Sequence, residues 1–488
     1  MKVLLVNPQR YKSYRPNSVP LGILSIATYL NANGHEAVIY DRTVSKEDIN
    51  DTLKKHKPDA VGISLITNCA IRDAVKVSKA SKKHGIPVVF GGTLATVIYE
   101  PLLREGAADY VSLGEGEATW LDFADSYEKN LPFDKVEGMV FLKNGKIFFT
   151  PNRELLDLSV LPELDWSLID PENFFQVGNG CKKQLAIYWS KGCGGSCTFC
   201  YNKQFNKSFR RQRPMETLIS EMRYLVEKHG ADGFDFADDH LFATRTQMLE
   251  FCNKLIESSL KVAWHACMRI DAVKSVDDYK LMYESGCRSL LFGIETGSEK
   301  TMKLIGKRVN LQKIENEISM CVEAGIQPVP TIIIGFPGET AEDIKATVEL
   351  TKRIKDANCY YQIYTPIPGS DMHEMLVKSG KIAPSKSLKE YSKIKFAELS
   401  VKNYSDVKTS EIRTIWKFFR LKMIFFGADK SDDEQFIKTV MNALKAMSKK
   451  GFIYFFKQGF STAKSLLELI TVFLHPGIRR KYGLYFNK

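Results

Sequence analysis

Three cysteines crowd into one short run, Lys191-Gly192-Cys193-Gly194-Gly195-Ser196-Cys197-Thr198-Phe199-Cys200-Tyr201-Asn202. The C-x3-C-x2-C spacing can wrap three corners of a [4Fe-4S] cube, and the small residues between the thiols let the loop fold tightly. Most such clusters take four thiolates. Three local ones leave one iron open to a ligand that is not protein. A zinc loop is the alternative reading, but zinc needs a fourth ligand, and the nearest downstream histidine is His229. The other seven cysteines, Cys69, Cys181, Cys252, Cys267, Cys287, Cys321 and Cys359, are scattered. That is no disulfide framework, and it fits a reducing cytosol.

The cysteine run must be held by the elements around it. It directly follows a strand-like stretch, Leu185 to Trp189, the first of six. The others are Gly233 to Ala237, Val262 to Cys267, Ser289 to Ile294, Val329 to Ile334 and Tyr361 to Tyr364, with helical patterns between them. Six strand–helix units predict a partial (β/α)6 barrel, smaller than the eight-unit TIM form. An earlier series, Val3 to Val6, Ala37 to Tyr40, Ala60 to Leu65, Val88 to Phe90 and Tyr110 to Leu113, also alternates with helices, several ended by Gly. It predicts a doubly wound, Rossmann-like parallel sheet, whose ligands bind at the C-terminal strand ends. Lys143-Asn144-Gly145-Lys146 between apolar runs predicts a β-hairpin. The fold class is therefore α/β, in four segments. Residues 1–135 form the doubly wound domain and 136–184 a connector with the hairpin. Residues 185–385 form the partial barrel and 386–488 a helical C-terminal domain.

The cysteine run, with aromatic Phe199 before its last thiol, resembles the radical SAM superfamily. That resemblance implies that the open iron holds the amino and carboxylate groups of S-adenosylmethionine (SAM). An electron from the cluster then yields methionine and a 5′-deoxyadenosyl radical. It implies SAM contacts from Phe199, from Asp238 and Asp239 near the amine, from Arg269 to the carboxylate, and from Glu295, Thr296, Gly335 and Phe336 at later strand ends. The front half is similar to the cobalamin-binding domain of cobalamin-dependent radical SAM enzymes. Asn7-Pro8, Val19 to Leu24, Gly91-Gly92 and Gly114 to Glu117 carry that likeness, although Thr93-Leu94 stands where many relatives have Pro-His. Its implied cobalamin contacts are Asn7, Pro20, Leu21, Gly22, Ser64, Leu65, Thr67, Gly91, Gly92, Thr93, Gly114 and Glu115. Residues 1–150 contain no Asp-x-His-x-x-Gly run, so cobalt without a histidine lower ligand is expected.

The implied activity is a class B radical SAM methyltransferase acting on an unactivated carbon. One SAM methylates the cobalamin and a second supplies the radical. A cobalamin-dependent cyclase or rearrangement enzyme is the nearest rival, and a non-catalytic cobalamin or iron–sulfur carrier is the rival from another class. The implied partners are a small, hydrophobic or lipid-like substrate and an external electron donor of the flavodoxin or ferredoxin type. No catalytic acid or base stands out.

Charge is uneven. Residues 401–488 hold 17 Lys and Arg against 7 Asp and Glu, most of the net +12. On a helix, Ile412, Ile415, Trp416, Phe419, Met423 and Phe426 share a face, with Arg413, Lys417 and Arg420 on another. This reads first as a helical cap on the barrel, and second as a peripheral contact with an anionic membrane. Lys449 to Lys457 and Arg479 to Tyr482 repeat the basic–aromatic mixture. No nucleic-acid module is present. The N-terminus lacks a signal-peptide layout and no apolar run suffices to span a bilayer, so a cytoplasmic location is expected, peripheral to the inner membrane face where the tail docks.

Overall fold

A computed structural model describes residues 1–10, 18–354, 357, 359–394, 402–426, 476–482 and 484. The chain groups into two compact units, one of residues 1–266 with 366–395 and one of 267–365 with 396–488.

The first unit opens with a seven-stranded sheet: β1 (Lys2–Asn7), β2 (Glu36–Asp41), β3 (Ala60–Ser64), β4 (Val88–Gly91), β5 (Tyr110–Ser112), β6 (Met139–Lys143) and β7 (Lys146–Phe149), in spatial order β2-β1-β3-β4-β5-β6-β7. The first five are parallel. Successive β1 residues serve opposite faces, as a two-residue period demands. Leu4 and Val6 pack under the helix Ile71–Lys83, while Val3 and Leu5 pack under the helices Leu21–Ala32 and Glu117–Glu128. Helices thus cover both faces, the arrangement that a sheet of continuous apolar strands requires.

The hairpin forms where expected, with Asn144 and Gly145 both at positive φ, as a two-residue type I′ turn requires. It is not part of a separate connector, however. β6 pairs antiparallel with β5, and β7 with β6. The open edge of β5 takes up the hairpin because its unpaired N–H and C=O groups need partners.

The same unit holds β8 (Gln176–Gly178), β9 (Cys181–Ile187), β10 (Ser190–Lys191), β11 (Arg211–Gln212), β12 (Gly233–Phe236) and, as far as Ala266, β13 (Ala263–Met268). β9, β12 and β13 run parallel. β10 and β11 form a short antiparallel ribbon. Behind them Trp189, Phe236, Phe242, Phe251 and Trp264 interlock, mostly edge to face, which makes a stiff base for the ribbon.

The second unit continues the α/β alternation with β14 (Cys287–Glu295), β15 (Gln327–Ile334) and β16 (Tyr360–Ile363), all parallel. The fold class is mixed α/β: a Rossmann-like sheet, a curled half-barrel of strand–helix units, and helices at the C-terminal end. The helix Thr409–Phe426 turns its apolar face inward. Ile412, Ile415, Trp416 and Phe419 are buried, and Phe419 stacks on Tyr361 with ring centroids 3.8 Å apart. Arg413 and Arg420 face solvent and Lys417 is half-buried. Over these residues the helix is a cap. The side chains of Met423 and Phe426, and the run Lys449 to Lys457, lie outside the described residues. Among the described residues no helix is long and apolar enough to cross a membrane.

Candidate active site

The cysteine loop leaves β10 through Gly192, at φ +81°. A Cβ there would lie 2.1 Å from the Phe209 carbonyl oxygen, so only glycine fits. Asn202, buried just past the last cysteine, staples the loop. Its side-chain carbonyl accepts from Cys193 N–H at 3.1 Å, and its amide donates to the Cys193 carbonyl and, at 3.4 Å, to that of Gly195. Further in, Cys200 N–H donates to the Cys197 carbonyl at 3.1 Å. From helix Asp371–Lys378, Met372 N–H donates to the Thr198 carbonyl at 2.8 Å.

The thiols of Cys193, Cys197 and Cys200 are half-buried, unpaired in disulfides, and close enough to feel one another's charge. Among the described residues, no three His, Cys, Asp or Glu side chains converge as ligands of a single metal ion would. A cube instead takes its thiolates at separate corners. Burial pushes the Cys200 thiol up to about 11, so a bound iron would have to displace its proton. The donor set of three thiols on one tight loop fits a cluster.

Asp238 and Asp239 part company. Asp238 is fully enclosed and spent on the ribbon: it accepts from Trp189 N–H at 3.1 Å, from Ser190 N–H at 2.5 Å and from the Ser190 hydroxyl. Burial still pushes its carboxyl up to about 6. It is a fixture of the strand end, which makes it a poor candidate for the direct SAM contact expected of it. Asp239 lines a cavity beside the loop, accepting from the Tyr201 hydroxyl, the Gly192 N–H and, at 3.4 Å, Asn206. Phe199 is half-buried in the loop.

That cavity is walled on one side by the C-terminal ends of the front sheet and on the other by the ribbon and the start of the loop. Leu21, Gly22, Ser64, Gly91, Gly92, Thr93, Gly114 and Glu115, all expected as cobalamin contacts, line it. Asn7, Pro20, Leu65 and Thr67 do not. Asn7 donates to Asp41 at 3.0 Å, Leu65 is buried in the core, and the Thr67 hydroxyl lies 3.1 Å from Cys69 Sγ. The Pro20 carbonyl accepts from Leu24 N–H at 3.0 Å, at the start of its helix. Glu115 lines the cavity, but Arg211 grips its carboxylate with two N–H groups at 2.7 and 2.9 Å.

Sequence reasoning missed Ser112, Trp120, Tyr188, Lys191 and Tyr201, which also line it. Lys191 and Glu117 pair at 2.5 Å. Burial opposes both charges, yet each holds the other, so the amine is raised and the carboxyl lowered. The one available signal was a lysine closing an apolar strand, matched by two glutamates in Gly114-Glu115-Gly116-Glu117.

The cavity suits a flat macrocycle. A Cβ at Gly22 or Gly114 would meet no protein atom within 4 Å, so both glycines present bare backbone to the space. The buried Ser112 hydroxyl has no hydrogen-bond partner among the described residues, and a buried polar group of that kind calls for a ligand or water.

The remaining expected SAM residues lie in the second unit. Arg269 pairs with Asp271 at 2.7 Å. Glu295 sits at φ +70° and pairs with Lys307 at 2.7 Å; a left-handed conformation at a non-glycine residue is the sort of strain that functional sites retain. Thr296 meets Thr347 at 3.1 Å. Gly335 and Phe336 give their N–H groups to Glu339, at 2.6 and 3.2 Å. Phe336 is buried against Tyr364, so its ring belongs to the core. Burial pushes the Glu339 carboxyl up to about 8, against the pull of those two N–H groups.

Comparison with known proteins agrees with this geometry. Residues 13–124 match the B12 binding domain family and residues 187–351 the radical SAM superfamily. An uncharacterized methyltransferase of Pyrococcus horikoshii is 28% identical over 83% of this chain and 92% of its own length. An anaerobic magnesium-protoporphyrin IX monomethyl ester cyclase of Rubrivivax gelatinosus is 24% identical, covering 93% of this chain and 83% of its own. Among solved structures, the cobalamin-dependent SAM radical enzyme OxsB, with aqua-cobalamin and SAM bound, shares the fold at TM-score 0.72 and 15% identity, over 92% of this chain and 71% of that one.

Proposed function

We propose that this chain, which belongs to the radical SAM proteins that carry an N-terminal B12-binding domain, is a methyltransferase that places a methyl group on an unactivated carbon of a small substrate. In this reading Cys193, Cys197 and Cys200 hold a [4Fe-4S] cluster with one iron open to SAM. The cavity between the front sheet and the ribbon holds cobalamin. When bound, these groups supply an electron to cleave SAM and a carrier for its methyl group. The chain's own part is positional. Gly22 and Gly114 give the corrin close backbone approach, Ser112 offers it a hydrogen bond, and the apolar lining keeps water from a radical. Phe199, Asp239, Arg269, Glu295, Thr296 and Gly335 are the proposed SAM contacts; an outside one-electron donor is required. The segments 1–135, 136–184, 185–385 and 386–488 are the proposed functional division, with the hairpin assigned to the first sheet.

One observation carries the reading: a single cavity is lined both by the glycine-rich strand ends of the B12-binding domain and by residues next to the cysteine loop. The cyclase relative favours a second reading, radical cyclisation without methyl transfer. The test needs no substrate. The cluster-loaded protein with cobalamin and a reductant is given SAM labelled in its methyl group, and the corrinoid is then extracted in the dark. Label on the corrinoid is expected. Formation of 5′-deoxyadenosine with an unlabelled corrinoid overturns methyl transfer in favour of cyclisation.

A further inference from the structure

The Gly114-Glu115-Gly116-Glu117 turn delivers two carboxylates to the cavity wall, and both are taken by cations on the ribbon that leads into the cysteine loop. Lys191 Nζ lies 2.5 Å from Glu117 and 3.9 Å from Glu115. Arg211 clamps Glu115 from both ends of its guanidinium fork, at 2.7 and 2.9 Å. Lys191 and Arg211 are register partners across β10 and β11, so one rung of the ribbon holds one turn of the front sheet. The Ser25 hydroxyl, at 2.6 Å from Glu117, and the Leu156 N–H, at 3.3 Å from Glu115, fill remaining acceptor positions. Glu117 and Glu115 keep only 3% and 8% of their side-chain exposure.

Charges buried in this way seldom stabilise a fold more than apolar packing would, and their best-attested use is to fix register. The register here matters chemically. Gly192 follows Lys191 immediately, and Cys193 comes next. We propose that Lys191 and Arg211 are positioning residues that lock the cysteine loop to the front sheet, so that corrinoid binding in the cavity and cluster binding by the three thiols strengthen each other. The inference rests on the reading of both sites given above. Such coupling must be reciprocal, which makes it measurable from either side.

The experiment titrates the full chain with hydroxocobalamin, followed by its visible spectrum, with and without an anaerobically reconstituted cluster. The ratio of the two affinities cancels any direct effect of a substitution on the corrinoid. In the natural protein the cluster should tighten cobalamin binding roughly 5-fold or more, the lower end of ordinary coupling. Lys191→Met and the nearly isosteric Glu117→Gln should bring the ratio toward one, and Lys191→Arg should keep it. If Lys191→Met fails to fold, Glu117→Gln and Arg211→Lys decide. A natural ratio of one, or an undiminished ratio in the variants that fold, overturns the proposal. Failure of every form to bind cobalamin overturns the reading of the cavity instead.

Discussion

Asn202 closes the cysteine loop through three hydrogen bonds to the backbone of Cys193 and Gly195. Replacing it with alanine strands those groups, and each buried, unsatisfied partner costs about 1–3 kcal/mol. Asn202→Ala should therefore lose much of its iron after anaerobic reconstitution although all three thiols remain. Cys200→Ala sets the baseline for a broken cluster site, and iron content equal to that of the natural protein would show the staple to be dispensable. The thiols were legible in the sequence because cluster ligands are local and their spacing is diagnostic. Asn202 was not, because a loop staple has no pattern of its own. Glu115 was readable as a residue of the cavity wall, but its clamp by Arg211 was not, because that contact joins residues distant in sequence. Glu339 gives a second residue-scale prediction. Its carboxyl, pushed up to about 8 in the folded chain from an ordinary 4.5, binds its proton more tightly folded than unfolded. Its influence on stability is therefore most favourable below about pH 4.5 and is lost as pH rises to about 8, at no more than about 1.4 kcal/mol per pH unit. Glu339→Gln keeps the neutral acid's shape and its acceptor for Gly335 and Phe336. It should flatten the fall in melting temperature between pH 5 and pH 8.

At the scale of elements, the ribbon is where local backbone geometry and chemistry meet. Gly192 combines a left-handed φ with the 2.1 Å approach to Phe209. Gly192→Ala must strain the backbone, typically by about 1–3 kcal/mol, and also push the Asn206–Phe209 turn away. Thermal unfolding should come earlier and iron retention should fall, whereas Gly194→Ala, whose added Cβ would meet nothing within 4 Å, should leave both nearly unchanged. Equal effects at the two glycines would show that the close approach is unimportant. The parallel strands were readable because buried strands are short apolar runs set between helical patterns, several of which end at Gly, and β1 to β5 lie where those runs predict. Two-residue pieces such as β10 and β11 carry no periodicity at all. The hairpin was readable as a hairpin, but not as part of the front sheet, because edge pairing depends on which strand is left open in space.

On the scale of the whole molecule, the basic tail poses the question of where its apolar face goes. The same helix, Thr409–Phe426, would serve a bilayer or a protein core, because both reward one apolar stripe. The sequence alone ranked the two without deciding between them. In the second unit the stripe is already occupied, with Phe419 only 8% exposed and stacked on Tyr361. Truncating a buried aromatic ring costs about 3–5 kcal/mol. Phe419→Ala should therefore lower the melting temperature by several degrees, and should not reduce flotation of the full chain with vesicles of anionic phosphatidylglycerol. A face inserted in lipid predicts the reverse, with stability in buffer retained and flotation lost. The two outcomes separate because a side chain cannot spend the same apolar surface on a core and on a membrane. Any attraction of the chain to anionic lipid then falls to its exposed cations, Arg413 and Arg420 among them, and should fade as salt screens them over a Debye length of about 8 Å at physiological ionic strength.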